Sequence, residues 1–430
     1  MQEYAQILNY AIPFFLVLIA IEYGASCFMH FKVNRIFDTI SSLSSGITNV
    51  VKDVLGLAIV VISYKWFYGH LAIFKIESTL MLYVLAFIGI DFAGYWVHRW
   101  CHEINIFWNR HIIHHSSEEY NLACALRQSV SEVFAVFTFT YIPMAILGVP
   151  SQVIAVVAPI QLFAQFWYHT RLIHKMGFLE YIIVTPSHHR VHHAINPKYM
   201  DKNYSQIFII WDKLFGTFQP EVSDEPPVYG VSRAVKTWNP WIINFQHFWL
   251  LVKDAWRTKS WRDKIRVWFM PTGWRPADVA EKYPVPYTTD IYHRPKYETQ
   301  ASTAFKAWSS AQLIFTLLLM MYLFNNIGEI PYTYIIIYGL FIFVTIFAYT
   351  SLMDGSILGI LAEFTKLMLG FSMIYMNGNS WFNIEKMIPH GTWLISGYLL
   401  VSGCASVYFY LADRPVERDI MDYSDAEVAR

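Results

Sequence analysis

Residues 80–103 read LMLYVLAFIGIDFAGYWVHRWCHE, an apolar run that ends in two histidines four residues apart. A stretch of this kind can cross the ~30 Å hydrocarbon core of a bilayer, which takes ~20 helical residues. On that helix His98 and His102 lie one turn apart on the same face. The run therefore predicts a membrane span that delivers a pair of imidazoles to one boundary of the lipid.

Two further clusters follow. One is His111-Ile-Ile-His114-His115 and the other is His188-His189-Arg-Val-His192-His193. Five of the 16 histidines fall within 98–115 and four within 188–193, far above an even spread. His111, His114 and His115 are spaced i, i+3, i+4, and His189, His192 and His193 repeat that spacing, so each set can aim at one point. His169, where an apolar run ends, faces the same compartment and is expected to complete the shell. His188 backs the third cluster. Eight or nine imidazoles from separate segments suit two metal ions, and imidazole alone leaves Fe, Zn, Cu and Ni open. His30, His70, His247, His293 and His390 stand alone and read as ordinary interfacial or hydrogen-bonded residues. His174 is off the ligand face.

The whole chain is built for lipid. Of 430 residues, 55% are hydrophobic and only 15% charged, against the ~25% usual in soluble domains. Mean hydropathy is +0.33. This excludes a disordered chain, a disulfide scaffold and an ordinary soluble enzyme, and zero net charge gives no reason to expect nucleic acid as a partner. Four scattered cysteines form no metal knuckle. Spans are expected at about 7–27, 45–64, 79–97, 132–149 and 151–168, then at 307–324, 332–350, 356–376 and 393–411. The start lacks the basic residues of a secretory signal, so the first run is expected to be retained. The fold expected is all-α: a multi-pass transmembrane bundle with a histidine-rich di-metal helical cap on its cytosolic side. Residues 1–300 would form the catalytic unit and 301–430 a block of about four spans. Segment 170–306 holds 19 of the 32 Lys and Arg, which favours the cytoplasm by the positive-inside tendency. If 132–168 is a hairpin, segments 98–131 and 169–306 share that side. The aromatic run near Trp241–Val252 reads as an interfacial or buried helix.

Other residues are candidates. Asp91 lies inside the third run, where a carboxylate is costly and a functional suspect. It could orient a ligand histidine from another segment or pair with a neighbouring span. Glu103 follows His102 and could be a ligand, a proton shuttle or a solvated charge. Arg127 and Gln128 could support the ligand residues from behind or contact a substrate headgroup, and read first as interfacial anchors. Phe92, Tyr95, Trp96 and the run Phe163–Tyr168 are candidates to line an apolar slot between spans, although packing explains any single one. Asn203-Tyr-Ser matches a glycosylation sequon but is expected to carry no sugar on the cytoplasmic side.

Taken together, His98-x3-His102, His111-x2-His114-His115 and His189-x2-His192-His193 resemble the membrane fatty acid hydroxylase/sterol desaturase superfamily. Thr185-Pro-Ser-His-His-Arg-Val-His-His193, Asp201-Lys-Asn-Tyr204 and Trp211-Asp-Lys-Leu-Phe-Gly-Thr-Phe218 strengthen the resemblance. Ser116-Ser-Glu-Glu-Tyr-Asn121 and Ala125-Leu-Arg-Gln-Ser129 narrow it to the branch of alkylglycerol-cleaving monooxygenases. The resemblance covers about 80–220 strongly. It implies two Fe ions held by His98, His102, His111, His114, His115, His189, His192 and His193, with His169 at a family-like place. O2 as co-substrate and tetrahydrobiopterin as reductant come from the resemblance alone. So does an alkylglycerol or related lipid substrate, cleaved to a fatty aldehyde and a glycerol product. A reductant or pterin-recycling system would be a partner. The C-terminal block would pack, form a homodimer or enclose substrate. The membrane would be the endoplasmic reticulum in a eukaryote or the cytoplasmic membrane in a bacterium. Two other readings stand beside it: a sterol or fatty-acyl hydroxylase or desaturase fed by a redox protein, and a histidine-rich metal transporter. Transporters place ligands near the bilayer midplane, whereas these histidines sit at span ends and in loops.

Overall fold

The computed structural model describes residues 2–57, 59, 60, 62–132 and 134–420. It is helical throughout, with a few short strands. Helix α1 spans Gln2–Phe28, α2 Ile36–Val54, α3 Leu80–Glu103, α4 Ser151–Phe163 and α5 Pro186–His193. Then come α6 at Pro240–Arg257 and α7 at Trp261–Phe269. The C-terminal helices are α8 at Thr303–Asn326, α9 at Tyr332–Met353, α10 at Ile357–Met376 and α11 at Gly391–Ala412. Strands β1 (Lys296–Gln300) and β2 (Val416–Ile420) pair antiparallel and tie the two ends of the last four helices together.

Six helices among the described residues are long and apolar enough to cross a membrane: α1, α3, α8, α9, α10 and α11. They match six of the nine expected runs; the other three do not become spans. The run 45–64 breaks because α2 stops at Val54, before Gly56 at a φ of 65°. Serines, Asp38 and Lys52 of α2 are buried inside the protein, so this helix packs as part of the core. The runs 132–149 and 151–168 form only short apolar helices, at Val136–Ile146 and Ser151–Phe163. Gly148 turns the chain between them at a φ of 86°, where a Cβ would strike the Phe74 carbonyl. Such a pair dips and returns without two full crossings. His169 nonetheless comes back against His114, so segments 98–131 and 169–193 meet.

Helix starts follow local chemistry. The Thr79 hydroxyl caps α3 through the Leu82 amide at 3.3 Å, and the Ser302 hydroxyl caps α8 through the Phe305 amide at 3.0 Å. The largest hydrophobic cluster joins Ala5 and Leu8 of α1 and Phe37, Ile47 and Val51 of α2 to Leu319, Phe341 and Phe409 of the C-terminal helices. A smaller cluster packs α3 on α4 through Leu82, Ala86, Ile90, Val153 and Val157. This second contact fixes the angle at which α3 delivers His98 and His102.

Candidate metal centre

Three helical pieces and one loop carry the histidines. The end of α3 brings His98 and His102, the turn around Ile112–His115 brings His111, His114 and His115, and α5 brings His189, His192 and His193. His169 follows the short α4. Two nests result: His98, His102, His111, His115 and His192 in one, and His114, His169, His189 and His193 in the other. Within each nest one nitrogen per ring lies within 4.8 Å of all the others. All nine residues proposed from the sequence are therefore brought together.

Several Nε2 atoms face each other. His98 and His111 are 2.9 Å apart, His111 and His115 3.1 Å, and His115 and His192 3.1 Å. In the second nest His114 and His169 are 3.3 Å apart, His169 and His189 3.0 Å, and His189 and His193 3.1 Å. Bonds of ~2.1 Å from nitrogen to a metal give neighbouring nitrogens ~3.0 Å apart at right angles and ~3.4 Å apart in a tetrahedron.

The other ring nitrogen decides whether these are hydrogen bonds. Nδ1 of His114 donates to the Arg127 carbonyl at 3.3 Å, and Nδ1 of His169 to the Gln165 carbonyl at 3.0 Å. A carbonyl only accepts, so Nδ1 carries the hydrogen and Nε2 keeps its lone pair. His114 and His169 thus point two lone pairs at each other across 3.3 Å, which is repulsive unless a cation lies between them. His98 and His192 are fixed in the same way, donating from Nδ1 to the Tyr204 carbonyl at 2.7 Å and the Lys202 carbonyl at 3.0 Å. Nε2 of His102 is buried with no hydrogen-bond partner. The donor set fits metal ions.

Burial also sets the charge state. It pushes the His111, His115, His169, His189, His192 and His193 rings well below their usual range, and mutual repulsion among the rings adds to it. His114 falls to about 3, again through burial first. These rings are neutral at pH 7, the form that ligates.

The remaining candidates play different parts. His188 lies outside both nests; its Nδ1 accepts from the Thr185 amide at 3.3 Å and closes the cap of α5. Asp91 is fully buried and accepts from the Ile207 amide at 2.9 Å, the Phe208 amide at 3.1 Å, Trp211 Nε1 at 2.7 Å and Gln161 at 3.1 Å. None of these four donors is an imidazole, so Asp91 pins the 204–211 loop to α3 instead of touching a ligand ring. Glu103 lies outside both nests, 2.9 Å from Arg99 Nε and partly exposed. Phe92 packs on Trp211, and the Tyr95 hydroxyl meets Thr217 at 2.9 Å, so both serve packing. An apolar groove of about 260 Å³ instead lies between α3 and α4, lined by Tyr83, Phe87, Val157, Ile160 and Phe208 among others. The Asn203 amide is buried, donating to the His188 carbonyl at 3.0 Å and the Gln219 carbonyl at 2.7 Å, which leaves no room for a sugar.

Some residues matter more than their sequence suggested. Arg127 is no interfacial anchor. It is 2% exposed and donates to Ser42, Ser116 and Asp38 while its own carbonyl holds His114. Asp212 accepts from the Tyr204 and Ser205 amides, both at 2.8 Å, and thereby aims the Tyr204 carbonyl at His98. Arg190 pairs with Glu221 at 2.7 Å and donates to the Thr170 carbonyl, locking α5 beside His169. Both Asp212 and Arg127 lay within quoted motifs, but the partners of Arg127, Ser42 and Asp38, could not be read from its neighbours.

Comparison with known protein sequences places the chain in a family. The fatty acid hydroxylase family model matches residues 83–217, which contain both nests. The alkylglycerol monooxygenase of Homo sapiens is 33% identical over 397 residues, covering 90% of this chain and 86% of that protein. The alkylglycerol monooxygenase of Danio rerio is 35% identical over 334 residues, covering 76% of this chain and 72% of that protein. An ornithine lipid hydroxylase of Rhizobium tropici is 30% identical over 135 residues, only 31% of this chain and 41% of its own length. No solved structure matches the chain. With two histidine nests, one of them fed by the end of a span-length helix, and a relative one-third identical over nine-tenths of its length, the chain is a membrane oxidoreductase of the alkylglycerol monooxygenase family, within the fatty acid hydroxylases.

Proposed function

We propose that the chain is a di-iron monooxygenase that cleaves the ether bond of alkylglycerols, with tetrahydrobiopterin as the electron donor. The single observation that carries the reading is the pair of nests, in which buried, neutral imidazoles turn their lone pairs inward. One iron would be held by His98, His102, His111, His115 and His192, the other by His114, His169, His189 and His193. Bound iron would supply the activation of O2, which no acid–base side chain can perform.

In the balanced reaction the ether carbon gains one oxygen atom as a hydroxyl. The second oxygen leaves as water, using two electrons and two protons from the reductant and solvent. The resulting hemiacetal loses its hydroxyl proton, and the C–O bond to glycerol breaks as that oxygen is protonated. The products are a fatty aldehyde and a glycerol product.

The chain's own residues have separable tasks in this scheme. Carbonyls of Arg127, Tyr204, Lys202 and Gln165 fix the tautomers of His114, His98, His192 and His169. The buried rings of Tyr120 and Tyr168 cover the second nest and exclude water there. Asp201, exposed and 4.0 Å from His102 Nδ1, and the partly exposed Glu103 offer carboxylates at the rim of the first nest, placed to exchange protons with solvent. Asp91 acts through the 204–211 loop as a positioning residue. The nests would face the cytoplasm, beside the basic 170–306 segment, with the alkyl tail left in the bilayer.

Elemental analysis of the purified protein, followed by product analysis with an alkylglycerol, tests the reading. Two irons per chain and an aldehyde that requires both O2 and tetrahydrobiopterin are expected. Aldehyde formed equally well without the pterin would favour the redox-protein alternative, and a chain without iron would overturn the scheme.

A further inference from the structure

Helices α6 and α7 turn large apolar side chains outward while polar groups of α6 are buried. The inward face of α6 carries its polar groups. Asn244 accepts from Ser129 at 2.9 Å, His247 Nε2 donates to the Asn105 carbonyl at 3.0 Å, and buried Asp254 accepts from Nε and Nη2 of Arg275 at 2.6 and 2.8 Å. The outward face shows Phe245, Trp249 and Trp256, the last 85% exposed. In α7, Trp261, Ile265 and Phe269 recur every four residues and are all exposed. A helix facing water has the opposite pattern.

Placement agrees with lipid contact. The start of α6 is tied to the end of α9, where Asn239 donates to Ser351 at 2.8 Å and the Trp238 amide donates to Asp354 at 2.8 Å. The end of α7 is tied to the end of α3, where Asn105 donates to the Val267 carbonyl at 2.9 Å. The pair therefore runs between two span ends, at the level where the chain leaves the membrane. The elbow between them is held: Thr258 and the Lys259 amide both donate to Asp278. Exposed Lys253, Arg257, Lys259 and Arg262 cluster on this elbow. Of the two acids within 253–266, Asp254 is buried against Arg275 and Asp263 pairs with Arg266 at 3.0 Å.

We infer that α6 and α7 form a binding surface for anionic lipid headgroups, with the aromatic face sunk in the interface and the four bases gripping acidic phosphates. This does not depend on the reaction proposed above. The same helix holds Asn105 and Asn109, which precede the second histidine cluster, so the surface sits on the scaffold of the nests.

The test uses the full chain in nanodiscs. A polarity-sensitive fluorophore is placed at Trp256→Cys, and separately at Ile265→Cys, in a Cys27→Ser, Cys404→Ser background. Quenching is compared between nitroxide-labelled phosphatidylglycerol, nitroxide-labelled phosphatidylcholine and aqueous iodide. Strong quenching by lipid and little by iodide is expected, with the anionic probe favoured at least about fivefold, the effect of one well-placed base. Lys253→Gln, Arg257→Gln, Lys259→Gln and Arg262→Gln together should reduce that preference to none. Iodide quenching would place the surface in water, shielding from all three probes would assign it to protein, and equal quenching by both lipids would remove the headgroup site. Each of these outcomes overturns the proposal.

Discussion

Both the histidine cap and the C-terminal helices bury polar groups, and they do so in opposite ways. Between α8, α10 and α11, Lys366 lies 2.7 Å from Glu363 and donates to Ser402, while Tyr398 donates to Gln312 at 2.7 Å and Gln312 to Ser402 at 2.8 Å. Donors there meet acceptors and the charge is paired. In the cap, acceptors meet acceptors: the lone pairs of His114 and His169 oppose each other, and His102 Nε2 has no partner. A self-satisfied cluster holds helices together, whereas one with surplus lone pairs is completed only by a cation.

The contrast predicts that damage to one cluster should leave the other intact. His114→Ala should drop turnover to background and lower metal content with expression retained; unchanged activity would remove His114 from the nest. Next in size, Lys366→Met leaves Glu363 buried without its partner and should cost about 3–5 kcal/mol of stability. Metal content should not change. Adding Glu363→Leu should recover most of the loss in a detergent melting assay, and failure to recover would mean that the pair does more than join helices.

A subtler change reaches the cap from outside. Asp212→Ala frees the Tyr204 carbonyl from its place against His98, so metal affinity should fall about 10–100-fold in a chelator competition. Melting should fall as well, because the buried Tyr204 and Ser205 amides lose their acceptor. The smallest effect concerns pH. Burial lowers the His247 ring to about 4, below the usual 6.5, so the folded chain favours the neutral ring. Its stabilising effect is intact above 6.5 and is lost as pH falls toward 4. At pH 5 the loss should be about 2 kcal/mol, and His247→Gln should flatten that part of the profile.

The same contrast explains what could be read in the chain. His98 with His102, and His189 with His192 and His193, share a face because of helical spacing, which is a local property. The four C-terminal spans were legible because a bilayer demands ~20 apolar residues wherever it is crossed. The run 45–64 misled because α2 is buried by protein instead of lipid, and apolarity alone does not say which. The 132–168 hairpin misled because Gly148 and the prolines around it shorten helices that composition makes long. Arg127 looked like an interfacial anchor because its partners, Ser42 and Asp38, lie over 80 residues away.

By itself the sequence determined that the protein spans a membrane and that imidazoles gather in three places, since length, apolarity and residue spacing act within a few turns. Only the tertiary structure decided that nine rings divide into nests of five and four, and that Asp91, Arg127 and Asp212 serve as braces. The reason is physical: rings that share a nest arrive from different segments, His98 beside His192 and His114 beside His189, and the carbonyl that fixes His98 lies 106 residues along the chain.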